Sequence, residues 1–499
     1  MKRLLMGLGA ILLALVVIVL VRTAHYSPPP LSQSPATQAQ TARTFNPQFD
    51  SRQIAGNLSR AIQFQTVSSE LQNPPTKAQF EQFLDWLAQT YPQVHTQLDV
   101  QPLGINPEQP YTRLFTWRGS DPALQPVMFS AHYDVVPVIP GTEDEWQHPP
   151  YSGAVDNTHI WGRGALDDKG AAIALMEAAT QMLAEGFQPR RTLYIALTND
   201  EEIGGPSGTA AVVEKLKNDG VQLAWTLDEG SFVLRGFVPG IDQDVASINV
   251  AEKGFLTLDL IARGEGGHSS MPPKETAVDT LASALMKLQA SPISGGLEGL
   301  SAEMFDAIAP HMSFEKRMLF ANRWLFGGLI DRALSTNPGT AAMLHTTTAP
   351  TMLRASVKAN VLPIEAVATI NFRLHPRDTE QTVVDYLNTT VDDPRVTVEV
   401  HDSRSPSRVS STERAGYHGV EHATHSTYDH VITAPGLTVG GTDSRRYQVV
   451  AEDNYRFNPM IVTRDDIKGF HGTNERITID NMLKAAEFYS HLMETAGSQ

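Results

Sequence analysis

The sequence contains no cysteine. That excludes a disulfide framework, a cysteine nucleophile and any metal held by thiolate. A metal in this protein would rest on His, Asp or Glu. Basic residues are also in short supply: 39 Lys and Arg stand against 55 Asp and Glu, a formal net charge of -16. Nucleic acid and broad docking on anionic lipid both need a basic face, so neither is expected as a main partner. No internal repeat, leucine heptad, Lys/Arg run or phosphate loop is present. What remains is an ordinary folding composition, 41% hydrophobic and 19% charged over 499 residues. At roughly 150 residues per domain, that length predicts two to four domains.

Residues Met1, Lys2 and Arg3 precede an unbroken apolar or small run from Leu4 to Val21. At a helical rise of 1.5 Å this run is about 27 Å long, near the hydrocarbon thickness of a bilayer. Residues 1–23 therefore read as an N-terminal membrane anchor. Lys2 and Arg3 keep its start in the cytoplasm, and the body is exported to a periplasmic, extracellular or lumenal space. The competing reading is a cleaved signal peptide and a secreted protein. Arg22 counts against it, because it falls at position -3 for cleavage after Ala24, where a small residue is wanted. Residues 24–44, rich in Pro, Ser, Gln, Ala and Thr, read as a solvated stalk.

From residue 45 to 252, short apolar runs alternate with helical patterns. Strands are expected at Val127–Phe129, Thr192–Leu197 and Leu223–Leu227, and helices at Ala171–Leu183 and Ala210–Leu216. This order predicts an α/β domain with a mostly parallel sheet. Residues 253–400 change character and read as an inserted, smaller α+β domain, with strands at Phe255–Ala262 and Val367–Phe372. Residues 401–499 return to the first domain and end in a helix from Asp480 to Met493. Within the smaller unit, near 292–345, lies an apolar helical insertion carrying Met304, Phe305, Met312, Phe314, Phe320, Trp324 and Leu325. Core packing is the favoured reading, since aromatic stripes are usually buried. The alternative is an apolar wall or a membrane-touching face.

Four acidic or histidine motifs follow or flank the expected strands: Ser130-Ala131-His132-Tyr133-Asp134, Leu166-Asp167-Asp168-Lys169-Gly170, Asp200-Glu201-Glu202-Ile203-Gly204-Gly205 and Leu227-Asp228-Glu229-Gly230. Ligands in open α/β sheets bind outside the carboxyl ends of strands. Carboxylates converging there need a cation. With no cysteine, a His/Asp/Glu set is the expected metal site, and imidazole with carboxylate suits zinc.

These motifs, together with Gly469-Phe470-His471-Gly472, resemble the dinuclear zinc amidohydrolase and peptidase family of aminoacylase, carboxypeptidase G and carboxypeptidase S. Trp146–Gly153, Trp161-Gly162-Arg163-Gly164, Lys253-Gly254-Phe255, Gly267-His268-Ser269-Ser270, Gly441–Arg445 and His471–Glu475 are similar to the branch of carboxypeptidase S and the N-fatty-acyl-amino-acid synthase/hydrolase. The resemblance covers about residue 50 to the end. It implies a catalytic domain in two parts with a lid and dimerisation domain between them. It also implies two zinc ions, with cobalt or manganese as substitutes. One would take His132, Asp167 and Asp228. The other would take Asp167, Glu202 and His471, with Asp167 bridging. Glu201 would be the general base, Asp134 would orient His132, and the Asp167–Asp168 peptide would be cis. His268 would help stabilise the oxyanion, often across a homodimer formed through the lid. Asn360, Arg373 and the backbone at Gly441 would hold the substrate carboxylate. The implied reaction is hydrolysis of the amide next to a free carboxylate, in short peptides or N-acyl amino acids. The rival is a non-catalytic, membrane-anchored binding protein on the same scaffold, which would lack the base or several ligands.

Overall fold

The apolar leader forms one long helix, α1 (Lys2–His25). The computed structural model describes residues 2–28, 47–68 and 77–498, so residues 29–44 of the expected stalk lie outside the described part. Residues Arg3–His25 are long and apolar enough to cross a membrane.

Three almost fully buried runs make the middle of the larger sheet: β1 (Val127–His132), β2 (Leu193–Thr198) and β3 (Leu223–Asp228). A strand covered on both faces has no solvent side to alternate with, which is why these runs are apolar almost throughout. β1 lies parallel to both β2 and β3. Among the described residues the sheet has ten strands. Beyond β2 it continues through antiparallel Thr112–Trp117 to the edge strand Asp99–Leu103. Beyond β3 comes Ala451–Arg456, parallel to it, from late in the chain. Ile432–Thr438 likewise pairs in parallel with Val245–Glu252.

Helix α2 (Lys169–Ala184) is buried nearly all round, with Ala, Ile, Leu and Met facing the sheet and its neighbours. It starts two residues before the apolar pattern predicts. Lys169 is buried there because its Nζ donates to the carbonyls of Ala61 at 3.0 Å and Phe64 at 2.6 Å. The C-terminal helix, Ile479–Ser498, packs into the same core through Met482, Phe488 and Leu492.

The smaller sheet has four antiparallel strands. Its centre is β4 (Gly254–Arg263) against β5 (Glu365–Leu374), paired along their full lengths. Side chains alternate across a strand. Leu256, Leu258, Leu260 and Ala262 therefore share a face with Ala366, Ala368, Ile370 and Phe372. Helix α3 (Ala277–Ala290) covers that face with Leu281, Ala284 and Leu288. Thr276 and Asp279 cap α3 reciprocally, satisfying two free N–H groups at its start.

The apolar insertion divides. Met304, Phe305, Met312, Phe320 and Ile330 are buried with Ile241, Val245, Ile432 and Ala434, so they pack against strands of the larger sheet. Two of its helices are α4 (Phe314–Ala321) and α5 (Arg323–Leu334). Here Phe314, Trp324, Leu325 and Leu329 stay exposed.

Candidate metal centre

The expected site residues sit at one edge of the larger sheet because each apolar strand ends there. His132 is the last residue of β1 and Asp228 the last of β3. Glu201 and Glu202 lie in a short 3-10 turn just past β2. Asp167 and Asp168 immediately precede α2, and the peptide between them is cis. His471 comes from a late turn with a left-handed backbone, φ 56°.

Asp167 is the hub. One of its oxygens lies 3.0 Å from His132 Nε2, and the other lies 2.8 Å from His471 Nε2. Glu202 Oε2 is 3.4 Å from the same His471 nitrogen. His132 Nδ1 faces Asp134, 3.0 Å from its carbonyl and 3.3 Å from its carboxylate. That carboxylate also accepts the backbone N–H of Glu201 and of Glu202, each at 3.2 Å. One aspartate thus orients the histidine ring and the turn that carries both glutamates. Ligand atoms of His132, Asp167 and Glu202 lie within 4.8 Å of one another, as do those of His132, Glu201 and Glu229.

The charge balance explains the electrostatics. Burial, followed by the Asp167 charge, pushes Glu202 up to about 7. Burial raises Asp228 to about 6 and holds Glu201 and Glu229 well above the ordinary carboxylate range. Asp167 goes the other way: burial opposes it, but His132 and His471 hold its pKa low. Hydrogen bonds to Asp167 and Glu202 raise His471 to about 10. Burial disfavours a proton on His132, yet Asp134 and Asp167 outweigh it and raise its pKa. Buried carboxylates thus crowd round two imidazoles, a concentration of negative charge that suits a cation. Asp168 and Asp228 each keep one buried oxygen with no hydrogen-bond partner. Imidazole nitrogens and carboxylate oxygens at this spacing fit a divalent cation such as zinc, cobalt or manganese.

Glu475 has no role that sequence reasoning assigned. It is fully buried and clamps the loop that presents Asp167. Its carboxylate accepts from Arg163 at 2.6 Å and from the backbone N–H of Leu166 at 2.9 Å and Asp167 at 3.1 Å. Its signal was its place four residues after His471, in the His471–Glu475 motif, while its partner Arg163 stands in the separate Trp161–Gly164 motif. Removing one partner of a buried ion pair leaves an unpaired charge. Glu475→Ala is expected to destabilise the fold by about 3–5 kcal/mol, read as a lower urea midpoint.

The residues expected to contact substrate fall into separate groups. His268 is exposed on a two-residue strand, its Nδ1 2.8 Å from Ser270 Oγ. Asn360 lies beside it, its carbonyl accepting from Ser269 N at 3.2 Å. Arg373, near the end of β5, sets its guanidinium 5.1 Å from the Phe255 ring. Gly441 is exposed in a turn fixed by its neighbour, since Thr442 N donates to Glu252 Oε1 at 2.7 Å. Glu252 is itself in a buried pair with Arg456 at 2.8 Å. Among the described residues, neither cluster of metal-type ligands includes His268. Glu229, next to the expected ligand Asp228, lies in one of these clusters.

Residues 128–495 match the model of peptidase family M20/M25/M40. The N-fatty-acyl-amino acid synthase/hydrolase PM20D1 of Xenopus tropicalis is 37% identical over 98% of this chain and 94% of its own. The probable carboxypeptidase S-like 2 of Dictyostelium discoideum is 36% identical over 89% of this chain and 85% of its own. Among solved structures, the M20 family metallo-carboxypeptidase Sso-CP2 from Sulfolobus solfataricus shares the fold with a TM-score of 0.61 at 18% identity, covering 89% of this chain and 99% of its own. Human carnosine dipeptidase 1 does so with a TM-score of 0.59 at 16% identity, covering 94% and 99%.

Proposed function

This chain belongs to peptidase family M20/M25/M40, a family of metal-dependent peptidases and amidohydrolases, and on that premise we propose how its own site works and what it cleaves. The observation that carries the reading is the placement of Asp167, with one carboxylate oxygen toward His132 and the other toward His471. Such a carboxylate is suited to bridge two ions. His132 and Asp167 would hold one zinc; Asp167, Glu202 and His471 would hold the other. Bound metal supplies Lewis-acid polarisation of an amide carbonyl and a lowered pKa for attacking water. Glu201 takes the proton from that water and returns it to the leaving amine. Asp134 keeps the His132 ring in position. His268, on the lid, donates to the carbonyl oxygen as charge develops there, from a closed lid or from the lid of a second protomer in a homodimer. Arg373, Asn360 and the Gly441 backbone hold the free carboxylate, a task that suits the planar guanidinium fork.

The fifth ligand comes from the Asp228-Glu229 pair. Asp228 is the choice by resemblance, and its free oxygen supports it. Glu229 is the neighbour to exclude, since its carboxylate groups with His132 and the base Glu201 but not with Asp167. The expected result is that Asp228→Asn loses one metal per chain by elemental analysis while Glu229→Gln keeps both. The reverse pattern assigns Glu229.

The substrate is an amide next to a free carboxylate. The relatives named for N-fatty-acyl-amino acids, at 37% identity over nearly the whole chain, favour a fatty-acyl amino acid over a short peptide. The full chain loaded with zinc or cobalt is expected to hydrolyse oleoyl-phenylalanine faster than an acylated Gly-Leu. The opposite order assigns a carboxypeptidase. No turnover of either sinks the proposal and revives a non-catalytic role, against which the presence of Glu201 close to His132 counts. Helix α1 supports a membrane-anchored protein with the catalytic body exported, the alternative being secretion after cleavage.

A further inference from the structure

Helix α1 touches the body only at its end. Its residues are exposed from Arg3 up to Val19, apart from a half-buried Leu15, and Val19 and Thr23 are the buried positions. What they meet is the junction between α4 and α5. Asn322, fully buried, donates from Nδ2 to the Val19 carbonyl and to Thr23 Oγ1, both at 3.3 Å. Arg22 Nε donates to the Ala321 carbonyl at 3.1 Å. Tyr26 closes the contact with a 2.5 Å hydrogen bond to Asp306, which also pairs with Arg323 at 2.6 Å.

This attachment sets a depth. The apolar run of α1 ends at Val21, so the Val19 carbonyl lies about 3 Å inside that end. If α1 spans a bilayer, Asn322 sits at the boundary between acyl chains and headgroups. Helix α5 starts at the next residue. Its Trp324 and Leu329 are 57% and 59% exposed, Leu325 is 43% exposed, and Ile330 is its one buried residue. Leu325 and Leu329 are four apart and share a face, and Trp324 extends the exposed side about 100° further round the helix. Gly327 and Gly328, on the same helix, have open space where a side chain would stand, with no described residue within 4 Å. A tryptophan at headgroup level with leucines beside it is the pattern of an interfacial helix.

We infer that the exposed face of α5, bearing Trp324, Leu325 and Leu329, lies in the phospholipid interface beside the point where α1 leaves the membrane. The inference rests on the reading of α1 as an uncleaved anchor. α1 and α5 together then hold the body in one orientation on the membrane.

The absence of cysteine makes the test direct, because any introduced thiol is the sole one. Full-length Leu329→Cys, Trp324→Cys and, as a control on the body, Ile105→Cys are labelled with an environment-sensitive fluorophore and reconstituted in phosphatidylcholine vesicles. Nitroxide lipids are expected to quench the labels at 329 and 324 several-fold more than the label at 105. Protein that floats with the vesicles but shows equal, weak quenching at all three positions overturns the inference and leaves the anchor standing. Labels at 329 and 324 that ignore lipid but shift with protein density mark a second copy of the chain on this face and also overturn it. Protein that does not float with vesicles removes the anchor reading and the inference with it.

Discussion

Glu201→Gln is expected to leave both metals bound and to cut hydrolysis of an N-acyl amino acid by roughly 10³-fold or more, the upper part of the range for loss of a general base. The physical reason lies in how the residue is held. Its backbone N–H is bound to Asp134, so the amide variant keeps the turn that carries Glu202. The side chain is removed only as a proton acceptor. The loss should fall on kcat, with little change in KM, because the proton moves only as the transition state forms. Elemental analysis and steady-state kinetics of one preparation read both halves. Wild-type turnover in this variant removes Glu201 from the base role. Loss of metal along with activity makes it a ligand instead.

Asp167→Asn is expected to have a larger effect. The amide keeps the shape but removes the charge that faces both histidines, at 3.0 and 2.8 Å. Losing a group that merely orients a ligand costs roughly 10–100-fold in metal affinity, and losing a bridging ligand should cost more. Metal content should therefore drop below one ion per chain after dialysis, with turnover at background. The fold should persist, because the loop stays clamped by Glu475 and Arg163. Circular dichroism separates this outcome from unfolding. A variant that retains two metals would remove Asp167 from the bridge.

Much of this was legible in the sequence because strand ends are. Runs such as Val127–Phe129 and Leu193–Leu197 are apolar, and an acidic or histidine motif follows each within a few residues. The α/β alternation then puts those motifs on one side. The family resemblance added His471, which no local pattern connects to Asp167, 304 residues earlier. Other features depend on long-range contacts that no sequence period records. The Glu475 clamp on Asp167 spans 308 residues. Asp228 and Glu229 are adjacent, and which of them turns toward His132 is decided by backbone geometry at the end of β3, not by residue type. The apolar insertion read as a uniform stripe, yet half of it packs on strands of the larger sheet and half stays exposed next to α1. Helical spacing gives a face, but not what lies against it.

The central claim is that metal held by imidazole and carboxylate, with Glu201 beside it, carries amide hydrolysis. The most direct measurement strips the full chain with a chelator and returns zinc in known amounts while oleoyl-phenylalanine hydrolysis is followed. Activity is predicted to vanish on chelation and to return as metal is added, reaching its plateau at two ions per chain. Full turnover by a protein shown to hold no metal would contradict it.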